Sequence, residues 1–386
     1  MSLTHEIDDI ALLPLDGWHR ARGGRMVPFA GYAMPLQYDG IIAEHRWTRE
    51  QAGLFDVSHM GQLLVCNEGA DQTAAEHALE ALLPADLATL ELGGQRYSLL
   101  LNDHGGILDD LMVTRWPSGF FVVVNGATRA ADLAHIAARL PAGVMVTKHA
   151  DHGLLALQGP RAVEALASLG LEPAAPGIVP VDALWFMAAG RYSWHGADLH
   201  VSRSGYSGED GFEIAVPVDA LAVFADALAA HPAVKPIGLG ARDSLRLEAG
   251  LPLYGHDLTP DIEPVEAGLG FAIARRRRRE GGFPGAARIL AALRDGPVRR
   301  RVGLAIAGRL AAREGAAVLA GNTVIGVVSS GGFSPSLGHP IAMALIDAAH
   351  ATPGTVLTID LRGRAIATQV VPLPFIPHRY HRKGAA

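Results

Sequence analysis

A single cysteine, Cys66, in 386 residues excludes an internal disulfide, a cysteine-based zinc site and an iron–sulfur cluster held by the chain's own thiolates. Between Leu64-Val65 and Asn67 it reads as a small buried hydrophobe. Lysine is nearly as scarce. Lys148, Lys235 and Lys383 are the only lysines among 33 basic residues, so arginine is the default cation. No window approaches the roughly eighteen uninterrupted apolar residues of a membrane span. The start, Met1 to Asp9, is acidic where a secretory signal would be basic, so a cytoplasmic location and no membrane partner are expected. Neither G-x-x-x-x-G-K-[ST] nor G-x-G-x-x-G occurs, which weakens any nucleotide reading. A net charge of −6 gives no bulk attraction for nucleic acid.

What is present is an ordinary globular composition, 49% hydrophobic and 19% charged, of a length suited to two or three domains. Near the middle runs Arg203-Ser204-Gly205-Tyr206-Ser207-Gly208-Glu209-Asp210-Gly211-Phe212-Glu213-Ile214. Glycine at every third position allows tight turning and close approach to a ligand. Alternation on the strand that follows sends Phe212 and Ile214 to one face and Glu213 to the other. Glu213 is thus a site candidate, although the segment alone would also fit a loop with a solvated carboxylate.

Helices are expected over 74–83, 161–169, 129–140 and 219–230, each with apolar residues on one side. Strands are expected at 97–101, 111–116, 120–125, 154–157, 199–202 and 211–216. After a helix near 286–293 the texture changes to short strands at 301–306, 324–329, 341–346, 356–359 and 365–371, the pattern of a small antiparallel barrel. The class is α+β. The chain divides into 1–270, holding two interleaved α+β domains, an arginine-rich connector and helix over 271–297, and the barrel over 298–386.

Asp109 and Asp110 follow the turn Asn102-Asp103-His104-Gly105-Gly106 and, being adjacent, point in opposite directions, so they form no acid/base pair. Asp110, beside Leu111-Met112-Val113, is the one expected to be desolvated and able to exchange protons with a ligand. Arg242 sits in the first turn of a helix, against the helix dipole, and so calls for a carboxylate partner; Arg246 reads as paired with Glu248 or solvent. The run Arg275-Arg276-Arg277-Arg278-Arg279 is either an anion-docking element or a solvated turn. The histidine spacings, His149 with His152 and His378 with His381, lack a third ligand, so no metal site is expected. No Ser/His/Asp or Cys/His constellation is identifiable.

Together these motifs carry a resemblance. Gly24 to Tyr38, Ala52 to Met60, Gly105 to Leu111, Leu157-Gln158-Gly159-Pro160, Gly205 to Gly211, Ala241 to Gly250 and Ser329 to Gly338 are similar, in order, to the T-protein family of the glycine cleavage system. The resemblance covers about 15–380. It implies a three-domain cloverleaf with a central folate channel and a C-terminal barrel, and a tetrahydrofolate-dependent aminomethyltransferase. The carbon would arrive on the lipoyl arm of the H-protein, and the products would be 5,10-methylenetetrahydrofolate, ammonia and the dihydrolipoyl carrier. It implies Asp110 as the catalytic acid–base residue, held ionised or oriented by Arg242, and Glu213 as the pterin-binding carboxylate. Arg242, Tyr380, Asn125, Tyr97, Met60 and Tyr206 complete the folate and substrate set. Arg275, Arg276 and Arg277 would meet an acidic carrier or a polyglutamate tail. No metal or flavin is implied.

The alternative within the fold is a tetrahydrofolate-dependent demethylase acting on another small methyl donor. Flavin-fused demethylases need a dinucleotide fingerprint and extra length that this chain lacks. The folate-binding relatives that assist iron–sulfur assembly carry a Lys-Gly-Cys motif, which is missing. Two departures from the family pattern, Tyr32 where many relatives have Trp and His104 before Gly105-Gly106, bear on the fit of the donor.

Overall fold

The computed structural model describes residues 10–384; the acidic start Met1 to Asp9, on which the expectation of no signal rests, lies outside the described residues. Two sheets and a barrel form the three lobes of a cloverleaf. The first sheet has seven strands in the order Glu172–Pro173, Ala189–Trp194, Ala197–Ser202, Gly211–Pro217, His152–Gln158, Ala52–Asp56 and Val234–Pro236. The second has five, Gln95–Leu101, Ile107–Trp116, Gly119–Val124, Gly61–Asn67 and Val144–Lys148, all antiparallel. The chain leaves the first sheet after Asp56, builds the second, and returns at His152, so the two lobes are interleaved.

Strand alternation explains why these segments read as continuous apolar runs. Each sheet has a helix-covered face and a face turned toward the other sheet. In the first, Phe212, Ile214 and Val216 pack with Leu155 and Leu157 beneath the helix Val218–Ala229. In the second, Leu111, Val113, Val122 and Val124 pack beneath Thr73–Glu80 and Arg129–Ala137. The inward faces meet through Phe55, Leu154, Ala156 and Ala215 on one side and Trp116, Phe121 and Val123 on the other. Burying such a Leu, Val or Phe is worth about 1.5–3 kcal/mol, so both faces of these strands are selected to be apolar, and polar residues between the sheets stand out.

The third lobe is a closed barrel of six strands, Arg299–Ile306, His339–Asp347, Thr323–Ser334, Ala317–Ala320, Val356–Leu361 and Arg364–Val371. Five of them fall where the sequence places strands; the added one, Ala317–Ala320, is only four residues long. Cys66 is partly exposed rather than buried, because it faces out near the end of a sheet strand.

The barrel docks on the helix Leu239–Glu248. Glu248 accepts hydrogen bonds from Ser334 Oγ at 2.5 Å, Ser336 Oγ at 2.8 Å and the Ser336 amide at 3.0 Å. Arg246 pairs with Asp257 at 2.9 Å and Asp243 at 2.6 Å and donates to Ser330 Oγ at 3.0 Å, so neither Glu248 nor solvent is its partner. The Ser329 to Gly338 motif is therefore in large part the seam between lobes.

Candidate active site between the two sheets

Asp110 lies on the channel face of its strand, with Met112, Thr114 and Trp116, while Asp109 shares the opposite face with Leu111 and Val113. The expected opposition of the two acids thus holds, but Asp109 is the more deeply buried, at 0% exposure. The reason is Asn125, just past the neighbouring strand. Its amide N–H and side-chain NH2 donate to the two Asp109 oxygens at 2.9 and 2.8 Å, and the same NH2 reaches Asp110 Oδ1 at 2.8 Å. Tyr97 OH donates to Asp110 Oδ2 at 3.0 Å.

These contacts set the electrostatics. Burial lifts the Asp110 carboxyl to about 7, the Asp109 carboxyl behind it adds to the rise, and the bonds from Tyr97 and Asn125 hold it back. Asp109 is itself pushed up, first by burial and then by Asp132 on the Arg129–Ala137 helix, and burial lifts Asp132 to about 6. Burial also raises the Tyr97 phenol, so Tyr97 acts as a neutral donor.

The turn that launches this strand is tightly built. Asn102 Oδ1 accepts from the amides of His104 and Gly106 at 3.0 and 2.9 Å, and Gly105 adopts φ +82°. A Cβ on Gly106 would lie 1.7 Å from the Pro260 carbonyl oxygen. Gly106→Ala is expected to lower stability by about 1–3 kcal/mol by forcing the Pro260 segment away, read as a fall in Tm; an unchanged Tm would contradict this packing.

Glu213 stands on the facing sheet. Phe212 and Ile214 are buried on the helix side, as alternation requires, and Glu213 points into the inter-sheet space with Gln95, Trp116 and His200. Ser204 Oγ donates to Oε2 at 3.0 Å, while among the described residues Oε1 has no hydrogen bond. Burial raises the carboxyl; Arg242 and Ser204 work the other way. The glycine loop that precedes it does not reserve room for a ligand. A Cβ on Gly205 would fall 1.8 Å from Gln158 Oε1, and buried Gln158 is gripped by Ser207 Oγ at 2.8 Å and the Ser204 carbonyl at 3.0 Å. Gly205 makes way for a glutamine side chain, while Gly208, at φ +78°, packs on Ala249.

Arg242 departs from its expectation. Among the described residues it has neither an ion pair nor a side-chain hydrogen bond; its guanidinium lies 4.9 Å from the Tyr206 ring centroid. Glu213, not Asp110, is the acid whose charge bears on it, and burial lowers its pKa. A half-buried guanidinium with free donors is a ready receptor for an acceptor group. His59 beside it is neutral, lowered to about 4 by burial and then by the Arg242 charge. Tyr206 donates to the Pro252 carbonyl, and burial raises its phenol.

Met60 packs partly buried on the inter-sheet cluster. Tyr380 stacks on Phe186, with ring centroids 4.0 Å apart, and among the described residues makes no hydrogen bond to Asp110, Glu213 or Arg242. The arginine run is a helix, Arg275–Glu280, rather than a turn. Arg276 pairs with Glu80 at 2.5 Å and Asp86 at 3.1 Å, and buried Arg277 donates to the carbonyls of Glu80 and Gly282. Their acidic partners are within the chain, and Arg275 is the exposed member of the three. Sequence reasoning missed Tyr254, whose phenol burial lifts to about 12 with Asp109, Asp132 and Asp110 adding to the rise. It also missed Arg301, which binds the carbonyls of Ala267 and Gly250 at 2.8 and 3.0 Å and whose charge reaches Tyr97. Neither carries a local signal, since both are brought in from outside the motifs that surround Asp110.

Two opposed sheets with a half-buried carboxylate on each, and a closed barrel as the third lobe, match a defined class. The GCVT N-terminal domain matches residues 15–277, and the glycine cleavage T-protein C-terminal barrel domain matches residues 299–376. The chain belongs to the glycine cleavage T-protein family. It is 41% identical to a probable mitochondrial aminomethyltransferase of Schizosaccharomyces pombe, over 99% of this chain and 97% of that one. An aminomethyltransferase of Saccharopolyspora erythraea is 42% identical, over 94% and 97% of the two chains. The crystal structure of glycine cleavage system aminomethyltransferase T from Bartonella henselae superposes with a TM-score of 0.89 at 41% identity, over 97% of this chain and 100% of that one.

Proposed function

We propose that Asp110 and Glu213 divide the work of a tetrahydrofolate-dependent aminomethyltransferase of the glycine cleavage system, Asp110 handling protons and charge and Glu213 fixing the acceptor. The reaction takes the methylene carbon from an S-aminomethyl-dihydrolipoyl carrier, the H-protein in our reading, to tetrahydrofolate. Ammonia and the dihydrolipoyl carrier are released. The observation that carries the reading is the state of Asp110, a half-buried carboxyl held by Tyr97 and Asn125 with its pKa brought to about 7.

Tetrahydrofolate, when bound, supplies a secondary-amine nucleophile and an amide-and-amine ring edge rich in hydrogen-bond donors. The residues fit such a group. Glu213 has an oxygen free to accept from that edge, its other oxygen being fixed by Ser204. Trp116, Phe121 and Val123 line the space beside Glu213 with apolar surface, and among the described residues the Arg242 guanidinium keeps its donors free. Asp110, as carboxylate, accepts the proton from the attacking amine and its negative charge stabilises the cationic centre that develops at the transferred carbon. Asn125 and Tyr97 keep its two oxygens aimed, and Met60 closes the apolar wall.

Glu213→Gln is expected to weaken tetrahydrofolate binding by about 10–100-fold, the value of one or two charge-assisted hydrogen bonds, measured by calorimetry. Unchanged affinity would remove Glu213 from the folate site. We also keep the division of the chain at residues 270 and 297, which the edges of the two family matches, 277 and 299, support. Among the described residues no helix is long and apolar enough to cross a membrane. The Schizosaccharomyces pombe relative is named as mitochondrial.

A further inference from the structure

The inter-sheet space ends at a cluster of imidazoles that the folate reading does not use. His149 follows the last strand of the five-stranded sheet, His152 opens the returning strand of the seven-stranded sheet, and His200 comes from a third strand. The His149 ring stacks on His152 with centroids 3.9 Å apart and on His200 at 5.2 Å, with Phe121 edge-on at 5.7 Å. Asp151 lies between the first two. Its Oδ1 is 2.8 Å from His152 Nδ1 and 3.9 Å from His149 Nδ1.

We propose that His149, Asp151 and His152 bind a divalent transition-metal ion of the zinc type, through the two Nδ1 atoms and the carboxylate, leaving a coordination position open to water. Neighbouring ligand atoms around tetrahedral zinc, at 2.0–2.2 Å from the metal, stand about 3.3 Å apart. The observed separations of 2.8 and 3.9 Å straddle that value, so side-chain rotations close the site without moving a strand. One carboxylate with two imidazoles is a donor set suited to zinc, cobalt or nickel and too soft for magnesium or calcium.

The surroundings of the ligands bear on the proposal. Among the described residues His149 Nε2 and His200 Nδ1, which are not the ligand atoms, are buried without a hydrogen-bond partner, so internal hydrogen bonding does not account for the cluster. His200 and Phe121 pack against the His149 ring and restrict its orientation. Sequence reasoning took only the His149 and His152 pair; Asp151 stands between them in the chain, and folding adds the backing ring of His200.

The location gives the site a consequence. The loop 149–151 is the covalent crossing from the five-stranded to the seven-stranded sheet, and His200 lines the same cavity as Glu213. Metal binding would tie that crossing and stiffen the mouth of the inter-sheet space.

The test uses the full chain after treatment with a chelator, titrated with Zn2+ by calorimetry and with Co2+ by visible absorption. One equivalent of Zn2+ is expected to bind per chain, with Co2+ giving the intense bands of a four-coordinate centre. Asp151→Asn, at an exposed position that leaves the fold intact, and His149→Ala should each weaken Zn2+ by more than about tenfold, and the metal should raise Tm in the wild type only. Absence of saturable binding would overturn the proposal. So would affinity unchanged in both variants, which would place the ion at another histidine pair such as His378 and His381.

Discussion

Asp110→Asn is expected to lower kcat by about 10²–10⁴-fold, the usual worth of a positioned acid–base group, with folate affinity largely retained. The amide keeps the size of the carboxylate and can still accept from Tyr97 or Asn125 on its one carbonyl oxygen, so geometry is the smaller loss. What disappears is the negative charge and the capacity to take a proton. The same assignment fixes the pH dependence. The carboxylate is the working form, and burial brings its pKa to about 7. Activity should rise through pH 7 and fall on the acid side, and the variant should lose that limb. Stability should move in the opposite direction. A carboxyl raised from 3.8 to about 7 binds its proton more tightly in the folded state, so the stability this gives is fully present below pH 3.8 and is lost as pH rises through 7. Removing it is expected to raise Tm above pH 7 while lowering turnover, the exchange expected at a functional site. Near-normal turnover by Asp110→Asn, or a fall in its Tm above pH 7, would contradict the role.

Glu248→Ala is expected to cost about 3–5 kcal/mol, the range for breaking one partner out of a buried ionic network. The carboxylate is fully buried and binds Arg49 at 2.9 Å, His45 at 3.1 Å and Ser334 and Ser336 of the barrel motif. Truncation leaves those donors without an acceptor and loosens the barrel from the helix that carries Arg242. Burial alone would raise the Glu248 pKa, but the bonds from His45 and Ser334 and the Arg49 charge reverse this and lower it from 4.5 to about 2. A depressed carboxyl pKa gives stability that is present above about pH 4.5 and is lost as pH falls toward 2. Thermal melts of wild type and variant should therefore differ most above pH 4.5 and converge in acid. A difference that grew on acidification would contradict the network.

Much of this site is legible in the sequence because strand alternation is a local rule. It places Glu213 opposite Phe212 and Ile214, and Asp110 opposite Leu111, before any tertiary contact is known. The limits come from partners distant in sequence. Asp109 is buried because Asn125 and Asp132 converge on it from other elements, so its apolar neighbours could not rank it below Asp110 in burial. The arginine run looked unpartnered because its acids, Glu80 and Asp86, lie nearly 200 residues earlier. The glycines of the central motif pointed to a close approach, and one occurs, yet the approaching group is Gln158. Arg242 called for a carboxylate on dipole grounds, and instead rests over Tyr206 with its donors free.

The most direct test is ammonia and 5,10-methylenetetrahydrofolate release from aminomethylated H-protein, with and without tetrahydrofolate, by wild type and Asp110→Asn. Folate-dependent formation of both products by the wild type, and neither by the variant, is the predicted result. Tight folate binding without product would contradict the aminomethyl donor and favour a demethylase. Equal product from both proteins would contradict Asp110 as the residue that moves the proton.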